Sequence, residues 1–272
     1  MQRFRGTAIL VSGNDISDSF QLPRVTVNNP VPGFAAWPTV RAAAPQGGPS
    51  AAPGDSAFET LMMGLLATIG TSSVGRVLLG FISGSYPVLI TRATSSDIQR
   101  IGQCNAETGR SSDTLSIEGF AVRGHVKIAF PDNWLDECRS GPATEPHQVL
   151  THELSHACEM STHGGAVNKR KITRKFGIYD NPRFSLARAF DEMTEFQAVL
   201  ITNMLISETS DNLRFHHDRH ARLPKEIANS DAYFETFKEE ITEVVDNNRP
   251  FALLLSALTS PKFNPLSVYF NK

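Results

Sequence analysis

Apolar residues settle into a helical rhythm at Phe58: Phe58, Leu61, Met62, Leu65, Leu66 and Ile69 share one stripe of a 3.6-residue period. Ser56 and Glu59 form a capping-box pattern at its start, and Gly70-Thr71-Ser72-Ser73 breaks it. Val74, Val77, Leu78, Phe81 and Ile82 then mark a second, shorter helix. The period changes to two over Tyr86 to Ala93, a strand with Val88 and Ile90 on one face. Residues 94–121 are polar and weakly periodic, and no element is assigned to them. Val126, Ile128 and Phe130 alternate cleanly up to Pro131, as an edge or terminal strand would. A helix follows between Thr144, read as its cap, and Gly164-Gly165, with Glu145 and Pro146 suited to its first turn. Another is expected from Asn181-Pro182, with Leu186, Phe190, Met193, Leu200 and Met204 as its apolar back. Further on, Phe234, Phe237, Ile241 and Val244 predict an amphipathic helix, and Phe251 to Leu258 a buried one. The pattern is that of an α+β fold, mostly helical with a small β-sheet.

The first 54 residues follow neither period. Seven of the 16 prolines lie there (Pro23, Pro30, Pro32, Pro38, Pro45, Pro49, Pro53), which predicts a disordered arm over 1–54 ahead of one domain over 55–272. That domain divides into a core over 55–205 and a helical extension over 206–272. With 40% hydrophobic and 20% charged residues, the 272-residue chain has an ordinary globular balance. A formal net charge of −2 argues against a nucleic-acid partner. The apolar run Ala8-Ile9-Leu10-Val11 is too short for a signal peptide, and no later run has the length of a membrane span. Cys104, Cys138 and Cys158 are too few and too scattered for a disulfide framework or a thiolate zinc site, so thiols are expected to stay reduced.

Candidate chemistry concentrates in Thr151-His152-Glu153-Leu154-Ser155-His156, an H-E-x-x-H on the predicted helix. His152 and His156 lie one turn apart, about 40° around the axis, so two imidazoles can meet one zinc ion, with Glu153 beside them as general base. Leu150, Leu154, Ala157 and Cys158 fall roughly 140° to 240° from His152, so the helix has an apolar back opposite its ligand face. A catalytic zinc needs a third protein ligand. Thr162 stands where a metzincin would have its third histidine, and His163 is one residue late. The next predicted helix offers Glu195 and Glu192, about 60° apart, one for the metal and one to hold an imidazole N–H. Tyr179, Arg188, His216, His217 and His220 are available to stabilise an oxyanion. His216 and His220 have ligand-like spacing without an accompanying acid, and read as a polar surface segment rather than a second metal site.

His152-Glu153-Leu154-Ser155-His156-Ala157 followed by Glu195-Phe196-Gln197-Ala198 resembles the gluzincin pattern, H-E-x-x-H-A and then E-x-x-[AT]. Bacterial toxin metalloproteases share that layout, which implies a zincin-like fold and favours Glu195 over Glu192 as third ligand. In size and plan the chain most resembles the NleD-like family of type III secreted effector metalloproteases, with plant-pathogen relatives of the XopG kind. Residues Val74-Gly75-Arg76-Val77-Leu78-Leu79 are part of that likeness, which spans about residues 56–205. It implies a zinc endopeptidase exported by the type III machinery through its N-terminal arm. It also implies action in the host cytoplasm on a signalling protein, a protein kinase among NleD-like enzymes. Two other readings are a non-catalytic module that docks a host partner and a housekeeping bacterial metallopeptidase.

Overall fold

The computed structural model describes residues 2–3, 9–12, 55–82, 87–102, 104–117, 120–131, 138, 141–162, 172, 192–215 and 221–272. Five strands form one mixed sheet: β1 (Gln2–Arg3), β2 (Ile9–Ser12), β3 (Val88–Arg92), β4 (Glu107–Ile117) and β5 (Phe120–Phe130), in the order β1-β2-β3-β5-β4. β3 lies parallel to β2 on one side and to β5 on the other, with Val88 opposite both Ile9 and Val126. β4 and β5 make an antiparallel hairpin whose register shifts between Ser111 and Thr114. The α+β expectation holds, with a larger sheet than the two predicted strands.

Three corrections concern this sheet. The expected disordered arm contributes β1 and β2, because the short apolar run around Ile9–Ser12 is a strand rather than a failed signal sequence. β5 is not an edge strand: Pro131 ends it but does not decide who pairs with it, and both of its sides are occupied. The unassigned stretch 94–121 holds a short helix, α3 (Ser95–Ile101), and β4, the true edge. Along its described first half β4 is half-exposed to exposed, so it lacks the apolar alternation that reveals a strand.

Helices α1 (Asp55–Thr71) and α2 (Ser73–Ile82) meet at 118°. Their junction is tight: a Cβ on Gly75 would come within 1.9 Å of the Ile69 carbonyl, so only glycine fits there. Among the described residues no single helix is long and apolar enough to cross a membrane. The motif helix α4 (Pro146–Thr162) touches α1, α2, β4, β5 and α5 (Met193–Ile206). Thr144 does not cap it. Its hydroxyl donates to the Gly141 carbonyl at 2.8 Å, and the Glu145 carbonyl accepts the first helical bonds, from Gln148 and Val149. Leu150, Leu154, Ala157 and Cys158 are buried, as the helical projection requires. Gly164-Gly165 and His163 lie outside the described residues.

Glu192 is extended (φ −137°, ψ 157°), so α5 begins at Met193 rather than at Asn181-Pro182. Every residue from Phe196 to Ile206 is buried, Val199 included, so α5 is a central helix packed on all sides over that span.

The C-terminal part carries α6 (Ser230–Thr236), α7 (Lys238–Asn247), α8 (Arg249–Ser256) and α9 (Pro265–Asn271). It shares the core of the rest. Phe196 of α5 packs between Tyr233 and Phe237, with ring centroids 6.1 Å and 5.4 Å away, and Phe81 of α2 lies 5.0 Å from Phe251. α8 is amphipathic rather than buried all round: Phe251, Ala252 and Leu255 face in, while Leu253 is 52% exposed. Cys104 and Cys138 form a disulfide, closing the chain around the β4–β5 hairpin, whereas Cys158 is a buried free thiol. This corrects the expectation of three reduced cysteines: the two sequence-distant residues are brought together by the hairpin between them.

Candidate metal centre

α4 supplies His152, Glu153 and His156, and the first turn of α5 supplies Glu195. Two buried hydroxyls of α4 bond back to their own helix: Thr151 donates to the His147 carbonyl and Ser155 to the Thr151 carbonyl, at 2.8 and 2.9 Å. The helix can therefore be buried on both faces without stranding hydroxyls.

The imidazole Nε2 atoms of His152 and His156 are 3.1 Å apart. Glu195 Oε2 lies 3.2 Å from the first and 3.4 Å from the second. These three atoms form a nearly equilateral triangle that could hold a metal ion. Both histidines are buried, at 3% and 8% exposure, while the Glu195 side chain retains 20%, so the triangle opens to solvent on the glutamate side.

Without a cation the arrangement is electrostatically crowded. Burial drives His152 well below the ordinary histidine value despite its bond to Glu195. For His156 burial works the same way, but the Glu195 carboxylate bonded to it, with Glu153 and Glu159 nearby, raises it to about 9. Burial alone would raise the Glu195 carboxyl, yet its bonds to the two imidazoles hold it far below the usual carboxylate range. A metal-free site thus carries its shared proton on His156, opposite an ionised Glu195.

Two threonines outside the motif complete the surroundings. His156 Nδ1 and Thr194 Oγ1 are hydrogen-bonded at 2.9 Å, which turns Nε2 toward His152 and Glu195; with Nε2 as a metal ligand, Nδ1 would be the donor. Thr108 on β4 donates to Glu153 Oε2 at 2.7 Å, with the Glu153 carbonyl also in reach at 3.1 Å. Glu153 is only 7% exposed, so a bond to its carboxylate offsets desolvation. Arg214, 4% exposed, brings a positive charge to bear on His152. Its backbone is clamped from both sides by Asn203 of α5, at 2.8 and 2.7 Å.

The structure brings His152, Glu153, His156 and Glu195 together as the motif requires. Glu192 does not hold an imidazole: it occupies the N-cap position of α5, and Thr194 takes the role expected of it. The extended backbone at 192 removes the 60° helical relation assumed between the two glutamates. Tyr179, Arg188, His216, His217 and His220 lie outside the described residues. Thr194 sits next to Glu195 in sequence, so a neighbour-of-ligand rule would have found it. Thr108 and Arg214 carry no local signal, because only the tertiary fold brings them to the site. Compared with protein-family models, curated proteins and solved structures, the chain shows no significant match to any.

Proposed function

We propose that this chain is a zinc-dependent endopeptidase of zincin-like plan, exported as a type III effector to cut a host signalling protein, a protein kinase by resemblance. The observation that carries the reading is the donor triangle, with edges of 3.1, 3.2 and 3.4 Å. Tetrahedral zinc with bonds of about 2.0–2.1 Å needs ligand atoms roughly 3.3–3.4 Å apart, and two imidazoles with one carboxylate are a donor set typical of its catalytic sites. Bound there, zinc would supply Lewis acidity, acidifying water and polarising a peptide carbonyl.

The remaining chemistry belongs to the chain. His152, His156 and Glu195 hold the ion, and Thr194 keeps His156 in the tautomer that presents Nε2. Glu153 takes a proton from the attacking water and returns it to the leaving amine, which releases the two peptide products. The effector assignment rests on the likeness in motif and plan.

Metal analysis of the purified protein should find one zinc per chain. Wild type added to host-cell lysate should create new peptide N-termini that Glu153→Gln does not. Absence of stoichiometric zinc, or equal cleavage by the variant, would sink the reading. The Cys104–Cys138 disulfide favours a second version, the same peptidase working in an oxidising compartment rather than in a reducing cytoplasm. Thiol titration of protein recovered from each compartment separates the two.

A further inference from the structure

We infer that Thr108 is a positioning residue for Glu153, holding its carboxylate in one orientation. The inference rests on the peptidase reading and deepens it. Thr108 Oγ1 lies 2.7 Å from Glu153 Oε2 and 3.1 Å from the carbonyl of the same residue. Its single hydroxyl proton goes to the stronger acceptor, the ionised carboxylate. The bond to Oε2 favours one orientation of the carboxylate, the one in which the base would meet its proton.

The donor is built into a rigid strand. Thr108 sits opposite Ile128 of β5, one residue into β4. Four residues earlier, the disulfide fixes Cys104 to Cys138. Between them, Arg100 of α3 pairs with Glu107 and with Asp97, and Asp97 belongs to the Thr94 capping box. The strand that enters the hairpin is therefore tied at Cys104 and Glu107 before it reaches the hydroxyl, and Glu153 comes from a separate, buried helix. A bond between two independently anchored elements is suited to setting position, because neither partner can follow the other if it is lost.

Valine at 108 keeps the shape and removes the donor, while serine keeps the donor. With labelled casein as probe, Thr108→Val should bind zinc at wild-type stoichiometry and leave KM within about twofold, while kcat falls roughly 10–100-fold. Thr108→Ser should recover most of the loss. A valine variant as fast as wild type, or a serine variant as slow as valine, overturns the inference. A second measurement does not depend on cleavage: Tm values for Thr108→Val, Glu153→Ala and the double variant. The two single losses should exceed the double loss by about 2–4 °C, and strict additivity overturns the inference. If wild type leaves casein intact and holds no zinc, the peptidase reading fails, and this cycle alone decides whether the two residues are coupled.

Discussion

Where α4 meets the start of α5, the side chains of His152, His156 and Glu195 point at one another; in the C-terminal part, those of Asn264, Ser207 and Glu208 turn to the backbone. His152, His156 and Glu195 bring three ligand-type atoms around one position that could hold a metal ion. In the C-terminal part several polar side chains are bonded to backbone groups instead. Asn264 donates to the carbonyls of Leu255 and Leu258 and accepts from Ser267 N–H. Ser207 donates to Met204 and accepts from Phe263 N–H, and Glu208 accepts from the N–H groups of Ser73 and Val74 at the head of α2. Buried polarity is thus no mark of function by itself. What distinguishes the candidate metal centre is that three ligand-type side chains converge on one position.

Changes on the two sides of this divide should separate chemistry from stability. The largest effect is expected from Glu153→Gln, which should slow peptide cleavage about 10²–10⁴-fold while zinc content, measured by metal analysis, stays at one per chain. Loss of zinc as well would place Glu153 among the ligands. On the other side, Phe196→Ala should cost about 3–5 kcal/mol in urea unfolding, because the ring seats Tyr233 and Phe237 against α5. If the two parts unfolded in separate transitions, the shared core would be disproved. Asn264→Ala should remove about 2 kcal/mol without changing zinc affinity.

Smaller effects sharpen the contrast. Thr194→Val should weaken zinc binding about 10–100-fold, read by competition with a chelating dye, with little change in unfolding of the metal-free protein. Glu208→Gln should destabilise by about 0.5–1 kcal/mol at neutral pH. Burial alone would raise this carboxyl, but the Ser73 hydroxyl and the N–H groups of Val74 and Ser73 keep it below its ordinary value. A carboxylate lowered in the fold contributes stability above the ordinary carboxylate range and loses it as pH falls through the folded value. The stabilities of variant and wild type should therefore converge in acid, and a constant gap across the pH range would contradict this account.

The meeting of His152 and His156 was readable in the sequence because an i, i+4 pair on a helix is local. Glu195 also came through, since four residues around it kept a recognisable order. The length of α5 did not: Met193 and Leu200 fit an amphipathic period, yet packing from both sides buries Val199 and Thr202 as well. β4 escaped notice because an edge strand needs an apolar pattern on only one face, and residues such as Arg110 and Ser112 are exposed. Thr108 escaped with it. Residues that act on the site through a strand pairing leave no trace at a fixed sequence distance. The Cys104–Cys138 disulfide is the same case, a contact made by a hairpin that the periodicity did not show.

β2 gives Ile9–Ser12 a structural duty in the sheet. It covers one side of β3, whose residues Val88, Leu89, Ile90 and Thr91 are all buried. A shortened protein starting at Asp55 would present this apolar strand with a bare row of N–H and C=O groups, a template for pairing with its own copies. Such a fragment is expected to self-associate, visible as concentration-dependent light scattering, even though every residue of the metal centre is retained. Fusion and truncation boundaries drawn on proline content alone would therefore cut through the sheet.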